Sequence, residues 1–510
     1  MRTKNSIRNV LLAFISNFLT IVIGVLAQAI FIKTLGNEFL GLNGLFSNII
    51  SLLNIAELGI GSAIIYNLYK PIAQGDVGKI NALLKFYKKC YHIIAIIILL
   101  FGFLLIPFLG SFVGEINVDV NVTFIYILFI IEIVVSYLLS YKQAIINANQ
   151  QNYIVNLIHI SYLVILNTLQ IGILLGTKNY YLYLGIKIFM RFYENILLTY
   201  LANKMYPYLK NASNELDKET KEDIFQKVKA LFFHKIGSFI VMGTDNIIIA
   251  KFLGIVTVGF YSNYSLIIDA VQKLFGQIIK VLTPSIGSLL IESNQKKSFE
   301  VFSKIRFLNY WIATFSGIAI LIIMDSFISI WIGNEYVLEK LVLYVLVFNY
   351  YQKSMRTSYM VFKEAAGIFY EDRFVPLIES FLNIFASIIL LKFFGLAGVF
   401  MGTIVSGLAL WGYSYPKYVY KDLLHRDYAL YIKETMGYII LFVIMAFITV
   451  SITNIFVFSN LFWEFTKNVL IAIIVPNVIL LLVFMRTNNF NYYFDLMKNI
   501  LFRGNKNEKY

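Results

Sequence analysis

The chain has 510 residues, of which 59% are hydrophobic and 14% charged, with a mean hydropathy of +0.73 and a formal net charge of +14. No soluble domain of this size carries so large an apolar share, so the composition defines a polytopic helical membrane protein. The single cysteine, Cys90, excludes an intrachain disulfide and a cysteine-rich metal site, and His92, His159, His234 and His425 lack metal-ligand spacing.

A membrane span needs about 20 apolar residues. Hydropathy predicts fourteen, at 10–32, 41–68, 91–112, 122–142, 154–176, 180–203, 230–251, 256–283, 307–332, 338–360, 374–394, 396–416, 434–457 and 465–485. The basic N-terminus lacks a small-residue cleavage site and reads as leading into a first retained span. Basic residues gather at the N-terminus, in the even-numbered loops and in the tail. The odd-numbered loops hold only Lys33, Lys178, Lys251, Lys340, Lys392 and Lys467. This asymmetry predicts both termini in the cytoplasm. It also assigns the net charge to anionic headgroups rather than nucleic acid. In a Cys90-free background, a cysteine at Asn117 is expected to be labelled by an impermeant reagent and one at Ser213 is not. Labelling at Ser213 in intact cells would overturn the topology.

The longest cytoplasmic polar stretch, Lys204–Lys229, follows span six. It reads as a linker between six-helix lobes at 1–203 and 230–420, with 421–510 supplying two further spans and a cytoplasmic tail. A repeat supports two halves. Lys33-Thr34-Leu35-Gly36 followed by Gly41 aligns, 218 residues later and without a gap, with Lys251-Phe252-Leu253-Gly254 followed by Gly259. Ser47 falls on Ser265. A helix–turn–helix that recurs at half-chain distance marks a duplicated membrane transporter, with the two copies related about the membrane normal.

Charges inside spans are costly and therefore informative. Span six carries Lys187, Arg191 and Glu194 on one face, with Arg191 near mid-depth. Span seven carries Lys235 near its cytoplasmic end and Asp245 deeper. Span eight carries Asp269, Lys273, Gln277 and Lys280 along one stripe. The first half offers Glu57 in span two and Glu132 in span four, and Asn17, Thr20, Gly24 and Gln28 share a face of span one. These stripes read either as the walls of a shared aqueous cavity or as helix–helix hydrogen bonding. Arg191 with Glu194, and Asp269 with Lys273, read equally as internal pairs. Ala73-Gln74-Gly75-Asp76-Val77-Gly78-Lys79 resembles a phosphate loop but lacks its spacing and its Ser or Thr. No extramembrane segment is large enough for a catalytic domain, so no catalytic residue, metal or nucleotide is expected.

Several phrases resemble one family. They are Lys33-Thr34-Leu35-Gly36 with Gly41-Leu42, Glu57-Leu58-Gly59-Ile60-Gly61, Tyr69-Lys70-Pro71, Asp245-Asn246, Leu253-Gly254 with Gly259-Phe260-Tyr261, and Gly395-Leu396-Ala397-Gly398 with Gly402-Thr403. Together they make residues 7–485 similar to the bacterial polysaccharide flippases of the Wzx or capsule-repeat-unit type. Those flippases share a superfamily with the MATE drug exporters and the lipid II flippase. The resemblance implies an all-α fold, a V-shaped pair of six-helix lobes plus two peripheral helices, in a bacterial cytoplasmic membrane. It implies an undecaprenyl-pyrophosphate-linked oligosaccharide as cargo, with the polymerase and glycosyltransferases of the same pathway as partners.

A cationic cavity is implied as well, for which Arg191, Lys187, Lys235, Lys273 and Lys280 are the candidate residues. Asp245, Asp269, Glu57, Glu132 and Glu194 are then candidates for charge partners or for H+ or Na+ coupling. The chemistry agrees: a pyrophosphate in a low-dielectric passage needs counter-charges, and arginine grips phosphate oxygens bidentately. The competing readings are a MATE-like ion-coupled drug exporter, which would favour acidic cavity residues, and a membrane polysaccharide polymerase or glycosyltransferase.

Overall fold

The computed structural model describes residues 2–57, 60–114, 116–149, 151–210, 215–292, 295–368 and 371–503. Within these, the side chains of 2–17, 55–56, 62, 139, 210, 227, 229–242, 284, 288, 291–292, 497 and 499–503 are not described. All regular structure among the described residues is helical.

In chain order the first helices are α1 (Arg2–Leu35), α2 (Asn37–Leu53), α3 (Ile60–Gln74), α4 (Val77–Leu105), the short α5 (Leu109–Val113) and α6 (Val122–Leu139). There follow α7 (Gln143–Ala148), α8 (Asn152–Thr177), α9 (Tyr180–Met205), α10 (Lys218–Leu253) and α11 (Ile255–Lys280). The remainder are α12 (Thr283–Glu292), α13 (Gln295–Trp331), α14 (Lys340–Ala365), α15 (Val375–Ala409), α16 (Tyr428–Ile455), α17 (Leu461–Phe484) and α18 (Asn488–Arg503). Among the described residues the predicted span ranges fall mostly on helix, but 41–68 takes in α2, a 3-10 turn at Asn54–Glu57 and part of α3. Eight segments among the described residues are long and apolar enough to cross a membrane. α9 is outside those eight, its apolar run diluted by Lys187, Arg191 and Glu194.

Helix starts follow local chemistry. Asp76 Oδ1 accepts from Lys79 N at 2.9 Å and Gly75 turns at φ 68°, so the phosphate-like stretch is the turn and N-cap of α4. Asn121 and Asn179 cap α6 and α9 in the same way, at 2.9 Å and 3.1 Å.

Contacts divide the chain into two compact units, 1–270 with 369–409 and 271–368 with 410–510. In the first, α1 packs on α8, α6 on α4 and α9, and α15 on α10. Small residues set the close approaches. α15 is a hairpin rather than one rod: Gly395, at φ 55°, reverses the chain between spans eleven and twelve. A Cβ on Gly398 would stand 2.1 Å from Leu390 O, and one on Gly402 would stand 2.2 Å from Ser387 Oγ. The Gly395…Gly398…Gly402 phrase is therefore what lets the two arms touch, and Asn383 Nδ2 donates to Thr403 Oγ1 at 3.0 Å across them.

The repeated turns meet each other within the same unit. A Cβ on Gly41 would lie 2.1 Å from Ile255 O, and one on Gly259 would lie 2.7 Å from Asn37 O. Asn37 and Ile255 are themselves partners at the 218-residue offset, as are Gly41 and Gly259. The contact is thus reciprocal, as a two-fold between the repeats requires. Gln28 Nε2 donates to Asn263 Oδ1 at 2.6 Å beside it.

In the second unit α13 packs against α14, α16 and α17. Tyr351 stacks on Phe442 with centroids 4.0 Å apart, and α18 lies on α13 through Tyr493 Oη donating to Lys304 O at 3.2 Å. Leu410–Leu423 winds as a π-helix with Pro416 inside it. Its five-residue spacing closes with Leu424 N donating to Val419 O at 3.0 Å.

Candidate functional site

A polar cluster is built by α6, α8 and α9 in the first unit. The i, i+3 and i+4 spacing on α9 turns Lys187, Arg191 and Glu194 to one side, where Glu132 of α6 and His159 of α8 meet them. Arg191 Nε donates to Glu132 Oε1 at 3.0 Å, and its Nη1 donates to Glu194 Oε2 at 2.6 Å. Lys187 Nζ stands 3.7 Å from Glu132 Oε2. His159 Nδ1 is 2.8 Å from Glu194 Oε1. The Arg191 guanidinium also lies 4.7 Å from the centre of the Tyr162 ring, and Lys187 lies 5.2 Å from that of Phe129.

Two fixed cations thus face two carboxylates, and the set is balanced while His159 is neutral. Glu194 is buried at 4% exposure, whereas the His159 side chain is 42% exposed. A cavity of about 310 Å³ opens beside it, lined by Tyr91, Tyr137, Asn156, His159, Arg191 and Glu194 among others. Glu57 reaches the same region, its Oε1 accepting from Tyr91 Oη at 3.1 Å. Gly61 leaves room for that contact, since a Cβ there would lie 2.7 Å from Tyr87 Oη and 2.9 Å from Glu57 Oε1.

The other sequence candidates are not gathered here. Asp245 is buried on α10, next to Thr244, whose Oγ1 donates to Asn383 Oδ1 at 3.3 Å. Asp269, Lys273 and Lys280 are exposed along α11. The side chains of Lys235 and Asn17 lie outside the described residues.

Two buried ionic contacts escaped the sequence reading, one in this cluster and one within the second unit. His159 stood alone in the sequence and acquires meaning only beside Glu194. Arg306 lies one residue before the hydropathic start of span nine, yet α13 begins at Gln295 and buries it to 3% exposure. There its Nη1 donates to Glu434 Oε2 at 2.8 Å and contacts Tyr420 Oη, tying α13 to the π-helix and α16. A helix longer than its apolar run was the signal available for it.

No protein-family model and no curated protein matches the sequence. Solved structures do. A lipid II flippase MurJ, in an inward closed conformation, superposes with a TM-score of 0.69 at 14% identity, over 96% of this chain and 99% of that one. The Vibrio cholerae MATE transporter VcmN gives 0.57 at 13% identity, over 83% and 98%. An inward-facing multidrug resistance MATE family transporter of the MOP superfamily gives 0.54 at 14%, over 78% and 93%. The chain therefore has the helical membrane fold shared by these flippases and transporters.

Proposed function

We propose that the chain is a flippase that moves an undecaprenyl-pyrophosphate-linked oligosaccharide repeat unit from the cytoplasmic to the outer leaflet, for a capsule, O-antigen or other surface polysaccharide. The observation that carries the reading is the extent of the match. A correspondence over 96% of the chain takes in most of 421–510, while those with the MATE structures cover 83% and 78%. The neighbour that matches along this whole length is named for a lipid-linked cargo. The sequence phrases resemble the polysaccharide flippases of the same superfamily, and Gly41, Gly61, Gly259, Gly398 and Gly402 among their glycines stand at close contacts.

On this reading the protein sits in the bacterial cytoplasmic membrane with both termini inside. Its lobes are 1–203 and 230–420, joined by 204–229, and 421–510 adds two spans. The cargo comes from the pathway's glycosyltransferases and passes to its polymerase. Arg191 and Lys187 hold Glu132 and Glu194 at rest and exchange them for pyrophosphate oxygens during passage, and Lys235, Lys273 and Lys280 supply further positive charge. Without a nucleotide motif in the sequence, transport draws on an H+ or Na+ gradient, the membrane potential or the use of the product. Asp245, Asp269 and Glu57 are the candidate coupling groups alongside the paired carboxylates.

Reconstitution tests the activity directly. Purified protein in vesicles carrying a lipid-linked oligosaccharide in both leaflets is expected to expose the inner pool to an external glycosidase. Vesicles without protein leave about half protected. Equal protection with and without protein, together with accumulation of cationic dyes by protein-bearing vesicles, would favour a drug exporter.

A further inference from the structure

A second cavity, of about 370 Å³, lies wholly within the second unit, among the C-terminal turns of α13 and α16 and the first turns of α14 and α17. Its size is within the ~300–1,000 Å³ range of small-molecule sites. Asp325, Tyr344, Asn454, Glu464 and Asn468 are among its walls, interleaved with aliphatic side chains such as Leu321 and Val450.

The charges at this cavity cancel locally. Asp325 Oδ2 accepts from Lys340 Nζ at 2.8 Å, and Glu464 Oε1 accepts from Lys467 Nζ at 2.7 Å. Lys467 also donates to Thr453 O at 2.9 Å and to Phe456 O. Each carboxylate already holds an ammonium, so neither a bare cation nor a pyrophosphate meets an uncompensated counter-charge. Hydrogen-bonding capacity is nevertheless left over. Asn468 is 7% exposed and donates through Nδ2 to Ser326 Oγ at 3.3 Å, but its Oδ1 is buried without a partner among the described residues. At the cavity itself the exposed Asn454 and Tyr344 offer an amide and a phenol hydroxyl to whatever enters. A neutral ligand with hydroxyl edges and C–H faces matches amides, hydroxyls and aliphatic walls together.

The turns at this end, 332–339 and 456–460, both follow odd-numbered spans and so face outward on the topology given above. We propose that this cavity is a saccharide subsite, which receives a neutral sugar of the lipid-linked cargo as its head group emerges on the outer side. The inference rests on the flippase reading for its cargo, and on the cavity alone for its place and chemistry.

The test uses the full-length chain in cells that make the polysaccharide. Photoactivatable p-benzoylphenylalanine is placed at Tyr344 or, separately, at Asn454, with exposed Phe381 of the first unit as control. After irradiation, the purified protein is probed for bound carbohydrate by periodate oxidation and hydrazide labelling. Carbohydrate is expected at 344 or 454 and not at 381. In backgrounds carrying Asn468→Leu or Asp325→Asn, the adduct is expected to fall at least about 5-fold at unchanged protein level, since Lys340 is exposed and tolerates loss of its partner. Adducts free of carbohydrate at both positions, or adducts that persist undiminished in both variants, would overturn the subsite. If lipid-linked units still accumulate when the gene is deleted, the flippase reading survives that failure. If they do not, it is the flippase reading that falls.

Discussion

Arg191→Ala is expected to lower the amount of folded protein several-fold and to abolish export. The guanidinium joins carboxylates on two helices, Glu132 through Nε at 3.0 Å and Glu194 through Nη1 at 2.6 Å. Its removal leaves Glu194, at 4% exposure, with His159 alone, and leaves Glu132 with a lysine 3.7 Å away. Breaking a buried pair on one side costs about 3–5 kcal/mol, and the 24% exposure of the Arg191 side chain places this case toward the lower end. Arg191→Lys keeps the charge, but one ammonium cannot span both carboxylates, so export is expected to fall partly.

Folding and transport are separated by the triple variant Arg191→Ala, Glu132→Gln, Glu194→Gln. It removes the orphaned carboxylates and leaves only the part-exposed Lys187 unpaired, so protein level is expected to recover while export does not, because the guanidinium that would grip the cargo is gone. Lys187 keeps its place over the Phe129 ring in that variant. Export equal to that of the parent would end the substrate role of Arg191 and turn attention to Lys235, Lys273 and Lys187.

Gly41→Ala and Gly259→Ala are expected to be as damaging, for a steric reason. The added carbon at 41 would stand 2.1 Å from a backbone oxygen, and that at 259 would stand 2.7 Å from another. Neither obstacle is a side chain that can rotate away, so the two repeats must part at this contact. Helix propensity runs the other way, since alanine is better than glycine in a helix by about 1 kcal/mol. Gly172→Ala is the control: its Cβ meets nothing within 4 Å, so it is expected to leave stability unchanged or slightly raised. Thermal unfolding and export of the three variants decide. If Gly41→Ala behaves like Gly172→Ala, the contact between repeats carries no weight.

What the sequence disclosed follows from which features are local. Helix positions were legible because hydropathy runs are local, down to the reversal at Gly395 between two spans. The repeat was legible because its glycines are fixed by contact. Gly41 and Gly259 cannot bear a Cβ in the packed turns, so the phrase around each carries a visible signature. The charge cluster was only half legible. The spacing of Lys187, Arg191 and Glu194 announced a shared face, but the partners come from α6 and α8, and no spacing along one helix reports on another. Arg306 was hidden for a different reason. Span ends drawn from hydropathy stop where the apolar run stops, whereas a helix continues as long as its backbone is satisfied and other helices cover its polar turn.

The proposed function is transport of a lipid-linked oligosaccharide across the membrane. It is tested most directly by deleting the gene and measuring, leaflet by leaflet, the undecaprenyl-pyrophosphate-linked repeat units. They are expected to accumulate on the cytoplasmic face, surface polysaccharide to disappear, and the intact gene to reverse both. Repeat units that still reach the outer leaflet at the parental rate would contradict it.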